Sequence, residues 1–185
     1  MVLLHTPPGE LGFVAPDFSL KGTDGNKHTL KDYKKSSVLV VMFICNHCPY
    51  VKAIESRLID LAAGFSKKEA VFVAINSNDQ VRYPEDSFKK MKSRAKKKKY
   101  PFDYLVDEKQ LVAKEYGAVC TPDFFVFNSE RKLCYRGRLD DSPRNPKAVK
   151  NEDLKLAIQA LLANEPIAEP QHASMGCSIK WIDGE

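Results

Sequence analysis

Residues Ser36 to Phe65 read SSVLVVMFICNHCPYVKAIESRLIDLAAGF. The first nine, Ser36–Ile44, form one β-branched and apolar run, the pattern of a central strand buried on both faces. Val51, Ile54, Leu58 and Leu61 then recur at helical spacing. Pro49 falls in the predicted first turn, where a missing N–H costs little, and Gly64 lies near the stop. Between strand and helix stand Cys45 and Cys48, separated by Asn46 and His47. The stretch predicts strand, C-x-x-C, helix.

Outward from it, the same alternation continues. On the N-terminal side, APDFSLKGTDGNKHTLKDY holds two short extended runs around Thr23-Asp24-Gly25-Asn26, a hairpin signal. On the C-terminal side, Ala70–Ile75 reads as a second buried strand, NSNDQVRYPED as a loop and SFKKMKSRAKKKK as a polar helix. FDYLV predicts a short strand, followed by a helix over Glu108–Tyr116 ended by Gly117. DFFVFNSERKLCYRGR predicts a strand pair turning at Asn128 to Arg131. EDLKLAIQALLA is amphipathic, with Leu154, Ile158, Leu161 and Leu162 on its apolar face. The tail from Glu165 shows little pattern before CSIKW, where Ile179 and Trp181 look like anchors. Alternating strands and helices predict an α/β fold with a mixed sheet.

Composition sets the remaining bounds. The 185 residues are 43% hydrophobic and 29% charged, an ordinary globular balance in a chain long enough to bury a core without disulfide staples. A net charge of +5 does not imply a nucleic-acid partner, and the Lys96–Lys99 run lacks the interleaved aromatics of such a surface. No apolar run reaches the roughly 18 residues needed to span a bilayer. The N-terminus lacks a signal-peptide pattern, so a cytoplasmic protein is expected, with neither nucleic acid nor membrane as partner.

Five cysteines are an odd number, which argues against a closed disulfide framework. A cysteine acts as a nucleophile only as its thiolate. Unpaired amides and the dipole at a helix start favour that anion, and His47 adds a titratable cation. The expectation is a Cys45 substantially ionised at neutral pH, with Cys48 able to close a disulfide onto it. The rival is half of a zinc site, but Cys120, Cys134, His172 and Cys177 are single and scattered, so neither metal nor cofactor is expected. Cys134, inside a predicted strand, reads as a core residue. Arg136 and Arg138 read as facing solvent or an acid.

GFVAPDFSLKGTDG, CNHCPYV, YPED, YGAVCTPDFFVF, YRGRLDDS and GCSIKW together resemble the thioredoxin-fold superfamily. The resemblance is closer to its peroxiredoxin-like redoxins, the AhpC/TSA-like group. It implies a single thioredoxin-like domain over residues 1–185: a central mixed sheet flanked by helices, an N-terminal β-hairpin extension over 1–35 and a C-terminal tail over 164–185. It implies a thiol–disulfide oxidoreductase, with Cys45 as attacking thiol, Cys48 as resolving thiol and Pro122 as a cis-proline lining the substrate groove. Asn46, His47 and Thr121 would support them, and protein or small-molecule disulfides and thiols would be the substrates. In thioredoxins proper the motif is W-C-G-P-C and the preceding strand carries a buried acid. Here Ile44 precedes Cys45, the dipeptide is Asn-His, and VLVVMFI holds no acid. A histidine before the second cysteine is similar to strongly oxidising disulfide oxidases.

Two alternatives remain open. Laid on the peroxiredoxin pattern T-x-x-C, Cys45 takes the threonine position and Cys48 the peroxide-attacking one, with Val41 where a proline is usual; peroxides would then be substrates. The other is a non-catalytic domain that binds metal or protein. Cys120, near the cis-proline, and Cys177, in the tail, are candidate third redox thiols, against plain packing for the first and anchoring for the second.

Overall fold

The computed structural model describes residues 3–182, so the outermost ends of the expected N-terminal extension and C-terminal tail lie outside the described residues. Ten strands and four α-helices follow one another among the described residues. They are β1 (Leu3–His5), β2 (Ser19–Gly22), β3 (Lys27–Thr29), β4 (Val38–Phe43), α1 (Pro49–Ala63), β5 (Ala70–Asn76), α2 (Phe88–Lys98), β6 (Asp103–Val106) and α3 (Leu111–Glu115), then β7 (Cys120–Thr121), β8 (Asp123–Phe127), β9 (Leu133–Gly137), α4 (Asp153–Ala163) and β10 (Met175–Ser178). A mixed seven-stranded sheet runs β3-β2-β6-β5-β4-β8-β9, and a second sheet runs β1-β10-β7.

The sheet is organised around β4. It pairs parallel with β5 and antiparallel with β8, and none of its six side chains is more than 1% exposed. Successive side chains leave a strand on opposite faces. Val38, Val40 and Met42 therefore pack with Val51, Ile54 and Leu58 of α1, Met91 of α2 and Ile158 of α4. Leu39, Val41 and Phe43 pack on the other face with Val112 and Ala113 of α3 and with Phe18, Tyr33 and Phe125. Each such side chain contributes about 1.5–3 kcal/mol of burial. This is the mixed α/β architecture expected, and no helix among the described residues is long and apolar enough to cross a membrane.

Some local expectations hold and others need correcting. The expected N-terminal hairpin is present as β2–β3 and turns at Gly25 with φ of +96°. Through β2–β6 pairing it forms the edge of the main sheet. The helix expected over Glu108–Tyr116 begins only at Leu111. Gln110 takes a left-handed φ of 59° while its side-chain amide binds the Ser77 and Lys180 carbonyls, and Asp107 Oδ2 accepts from the Ala113 amide instead of entering a helix. Cys134 is only half-buried, its thiol turned to the Lys132 carbonyl. Arg136 is buried and paired with Asp123 at 2.8 Å, and Arg138 pairs with Asp153 at 2.9 Å, so both face an acid as expected.

The tail is held by the strand it contributes. Its strand β10 lies between β1 and β7, with Cys177 opposite both Leu3 and Thr121. Ile179, 1% exposed, donates its amide to Val119, and the Lys180 carbonyl accepts from Asp79. Gly176 makes this approach possible: a Cβ there would meet the Thr121 carbonyl oxygen within covalent range, at 1.9 Å. Because backbone has to move to relieve that clash, Gly176→Ala is expected to lower stability by about 1–3 kcal/mol. A urea midpoint equal to wild type would show that β10 does not pack on Thr121 as described.

Candidate active site

The C-terminal end of β4 delivers Ile44 and Cys45 to the point where α1 begins. The helix starts at Pro49, as the sequence predicts. Its N-cap is Cys48 and its first residue is Pro49, so Cys45 lies a full turn upstream of the helix end. The two thiols are 1% and 0% exposed.

Across from them runs the segment from β7 to β8, with a cis peptide between Thr121 and Pro122. Thr121 Oγ1 lies 3.4 Å from Cys45 Sγ, and the Thr121 carbonyl oxygen lies 3.1 Å from Cys48 Sγ. Cys177, directly opposite Thr121 in the strand pairing, brings its Sγ to 3.1 Å from Cys48 Sγ. Cys120, one residue before Thr121, is fully buried and turns its thiol toward the Pro122 carbonyl at 3.9 Å. Burial, then the nearby Asp123 carboxylate, hold Cys120 protonated. A cavity of about 180 Å³ adjoins Pro122, bordered by Tyr50, Ile54, Phe124 and Met175.

The dipeptide between the cysteines is anchored by a residue that the sequence reading did not single out. Asp86, fully buried at the end of a short 3-10 turn, accepts from the Asn46 amide at 2.7 Å, the His47 amide at 3.2 Å, His47 Nδ1 at 2.5 Å and Asn78 Nδ2 at 2.7 Å. Burial by itself would raise its carboxyl, but the His47 and Asn78 hydrogen bonds, the His47 charge and the Asn46 amide hold it below the usual value. Asn46 is fixed further, by Glu85 O at 2.9 Å and the Tyr104 hydroxyl at 3.1 Å. The His47 ring stacks on Tyr83, with centroids 5.3 Å apart. The signal in the sequence is the YPED stretch, whose last residue is Asp86.

This arrangement redistributes the charge. His47 Nδ1 is 3.8 Å from Cys45 Sγ but 2.5 Å from Asp86, so its hydrogen bond is committed to the carboxylate. Burial pushes Cys45 well up, as do its hydrogen bond to Cys48 and the Asp86 charge. Cys48 moves the other way, to about 5: the Cys45 thiol donates to it, and against the cost of burial the Val51 amide and the Cys177 thiol favour its anion. These directions run against an ionised Cys45 and favour the anion at Cys48, which stands at the helix start.

Cys45 Sγ, His47 Nδ1 and an Asp86 oxygen lie within 4.8 Å of one another, the spacing of metal ligands. The carboxylate is already satisfied by four donors, and three protein ligands fall short of the four of a closed zinc site. The donor set fits a hydrogen-bond network better than an ion.

The profile of the AhpC/TSA family matches residues 11–136. The chain belongs to the AhpC/TSA family. Its fold is that of the thioredoxin-like redoxins. It is 31% identical to chloroplastic peroxiredoxin Q of Oryza sativa subsp. japonica over 106 residues, 57% of this chain and 45% of that one, so the chain spans about half the length of that curated relative. An uncharacterized conserved protein from Geobacillus kaustophilus has a crystal structure 48% identical in sequence, with a TM-score of 0.94, covering 100% of this chain and 99% of that one. The thioredoxin domain of a thiol-disulfide oxidoreductase from Bacteroides vulgatus, 21% identical, shares the fold with a TM-score of 0.57 over 68% of this chain and 86% of that one. The family match includes Cys45, Cys48, Asp86 and Pro122. It stops before α4 and β10, and so before Cys177.

Titrating the thiolate absorbance of the reduced protein should show one transition near pH 5 that is lost in Cys48→Ser and shifted upward in Cys45→Ala. The linkage has a definite sign. A thiol whose folded value lies below its unfolded value adds stability above the unfolded value, and that stability is lost as pH falls through the folded one. Wild type minus Cys48→Ser stability should therefore rise from pH 5 to pH 8. The difference between the two proteins removes the opposite contribution of Asp123, whose burial raises it to about 6. A flat difference curve would contradict the assignment.

Proposed function

We propose that this redoxin is a thiol–disulfide oxidoreductase in which Cys48 is the attacking thiol and Cys45 the resolving one, the reverse of the roles the resemblance implied. The observation that supports this is the position of Cys48 at the α1 N-cap with the Cys45 thiol donating to it. Cys48 attacks one sulfur of a substrate disulfide; a Cys48–substrate bond forms and the other substrate sulfur departs with the electron pair. The negative charge that held the proton on Cys45 is then gone. Cys45 gives its proton to that first departed thiolate and attacks Cys48 Sγ; the Cys48–substrate bond breaks, the second substrate sulfur leaves as a thiolate, and the Cys45–Cys48 disulfide closes. Asn46, His47 and Asp86 keep the connecting loop in place, and Thr121 and Pro122 wall the opposite side.

The second reading, peroxide reduction, gains from the same assignment, since Cys48 occupies the peroxide-attacking position of T-x-x-C. That reaction needs donors on the leaving oxygen as the O–O bond breaks. The hydrogen-bond partners of Cys48 among the described residues are two thiols, two backbone amides and a carbonyl; none is a guanidinium or a hydroxyl. Disulfide exchange, in which a thiolate leaves, asks for less.

Stopped-flow oxidation of the reduced protein tests both readings. Oxidised glutathione or a protein disulfide should consume thiols faster than hydrogen peroxide by about two orders of magnitude, the usual cost of one missing oxyanion donor. Cys48→Ser should abolish the reaction, and Cys45→Ser should still react with the disulfide but form no Cys45–Cys48 bond. Rapid peroxide consumption by Cys45→Ser, with a sulfenic acid trapped on Cys48, would replace exchange by the peroxidase reading.

A further inference from the structure

Cys48 has two thiols within reach, and only one of them belongs to the C-x-x-C motif. We infer that Cys177 is a second resolving thiol: it closes a Cys48–Cys177 disulfide that ties β10 to the start of α1 and exchanges with the Cys45–Cys48 disulfide. The inference rests on the disulfide-exchange reading above and adds a catalytic residue to it.

The placement is built in. In strand pairing, directly opposite residues share a face, and Cys177 stands opposite Thr121, whose hydroxyl and carbonyl touch the two motif sulfurs. Its Sγ lies 3.1 Å from Cys48 Sγ, about 1 Å more than a disulfide bond. Cys177 is 3% exposed and sits between β1 and β7, so its thiol faces Cys48 by construction. Gly176 lets the backbone come close enough to Thr121 for this contact. On either side, Ser174 is joined to Thr6 and Lys180 to Asn78, which holds the register. Cys120, by contrast, points to the Pro122 carbonyl and is left out.

The chemistry balances. With Cys48 carrying a substrate sulfur, Cys177 attacks Cys48 Sγ. The Cys48–substrate bond breaks, the Cys48–Cys177 bond forms, and the substrate leaves as a thiolate that takes the Cys177 proton. In the reduced protein Cys177 is pushed up to about 12, by burial first and then by its hydrogen bond to Cys48 and the Cys48 charge. The last two influences vanish once Cys48 is in a mixed disulfide, while the Lys180 ammonium still favours the anion. Attack by Cys45 on Cys48 Sγ then expels Cys177, which recovers a proton from Cys45, and leaves the Cys45–Cys48 disulfide.

The test uses the full chain with oxidised glutathione, quenched in acid and mapped by mass spectrometry. In Cys45→Ser the expected product is a peptide pair linked Cys48–Cys177 with the glutathione adduct lost. In Cys45→Ser/Cys177→Ser the adduct should persist on Cys48. Cys177→Ala in place of serine repeats the double variant with an apolar residue in the buried site. A lasting adduct on Cys48 in Cys45→Ser, with Cys177 unlinked, overturns the inference and leaves the exchange reading standing. No adduct in any variant sinks the exchange reading, and the inference with it.

Discussion

Strand β4 turns neither face to water, and much else follows from that constraint. A strand covered on both sides needs helices on both sides, and α1 must return across the sheet as soon as β4 ends. The return places the N-terminus of α1, with its unpaired amides, at the carboxyl edge of the sheet. The cysteines occupy that reversal. Their burial is thus a consequence of the same packing that holds Met42 and Phe43 at 0% exposure, and it makes the electrostatics of the site severe.

In such surroundings a charge survives only where donors converge. Asp86 survives as a carboxylate because two backbone amides, an imidazole and a carboxamide point at it. In doing so it withdraws His47 from Cys45 and adds a negative charge nearby. Cys48 stands on the other side of this balance, with a helix start and neighbouring thiols as donors. The two cysteines of one motif are thereby driven apart in acidity, as paired catalytic acids and bases are elsewhere. A motif read only along the chain treats them as near equivalents.

Closure of the site comes from the far end of the chain. Strand β10 fills the space beside Thr121 and places a third sulfur against Cys48. Along the sequence, anchoring and chemistry are competing accounts of Cys177. The geometry makes them compatible, because a thiol that is to meet Cys48 repeatedly has to be held in register by the strands around it.

Period and composition sufficed for much of this protein. The apolar run at Val38–Phe43, the helical spacing of Val51, Ile54 and Leu58, the Asp24-Gly25 turn and the strand after Pro122 are local signals, and the elements follow them. The family too was legible, from short motifs spread along the chain. Non-local pairings were not. The start of α3 was overridden by Asp107, Ser77 and Lys180, residues far apart in sequence. The hairpin's membership of the main sheet, Arg136 on Asp123 and Cys177 on Cys48 all depend on which surfaces meet. So does the acidity of each thiol, which is set by the donors and charges around it in space rather than by its neighbours along the chain.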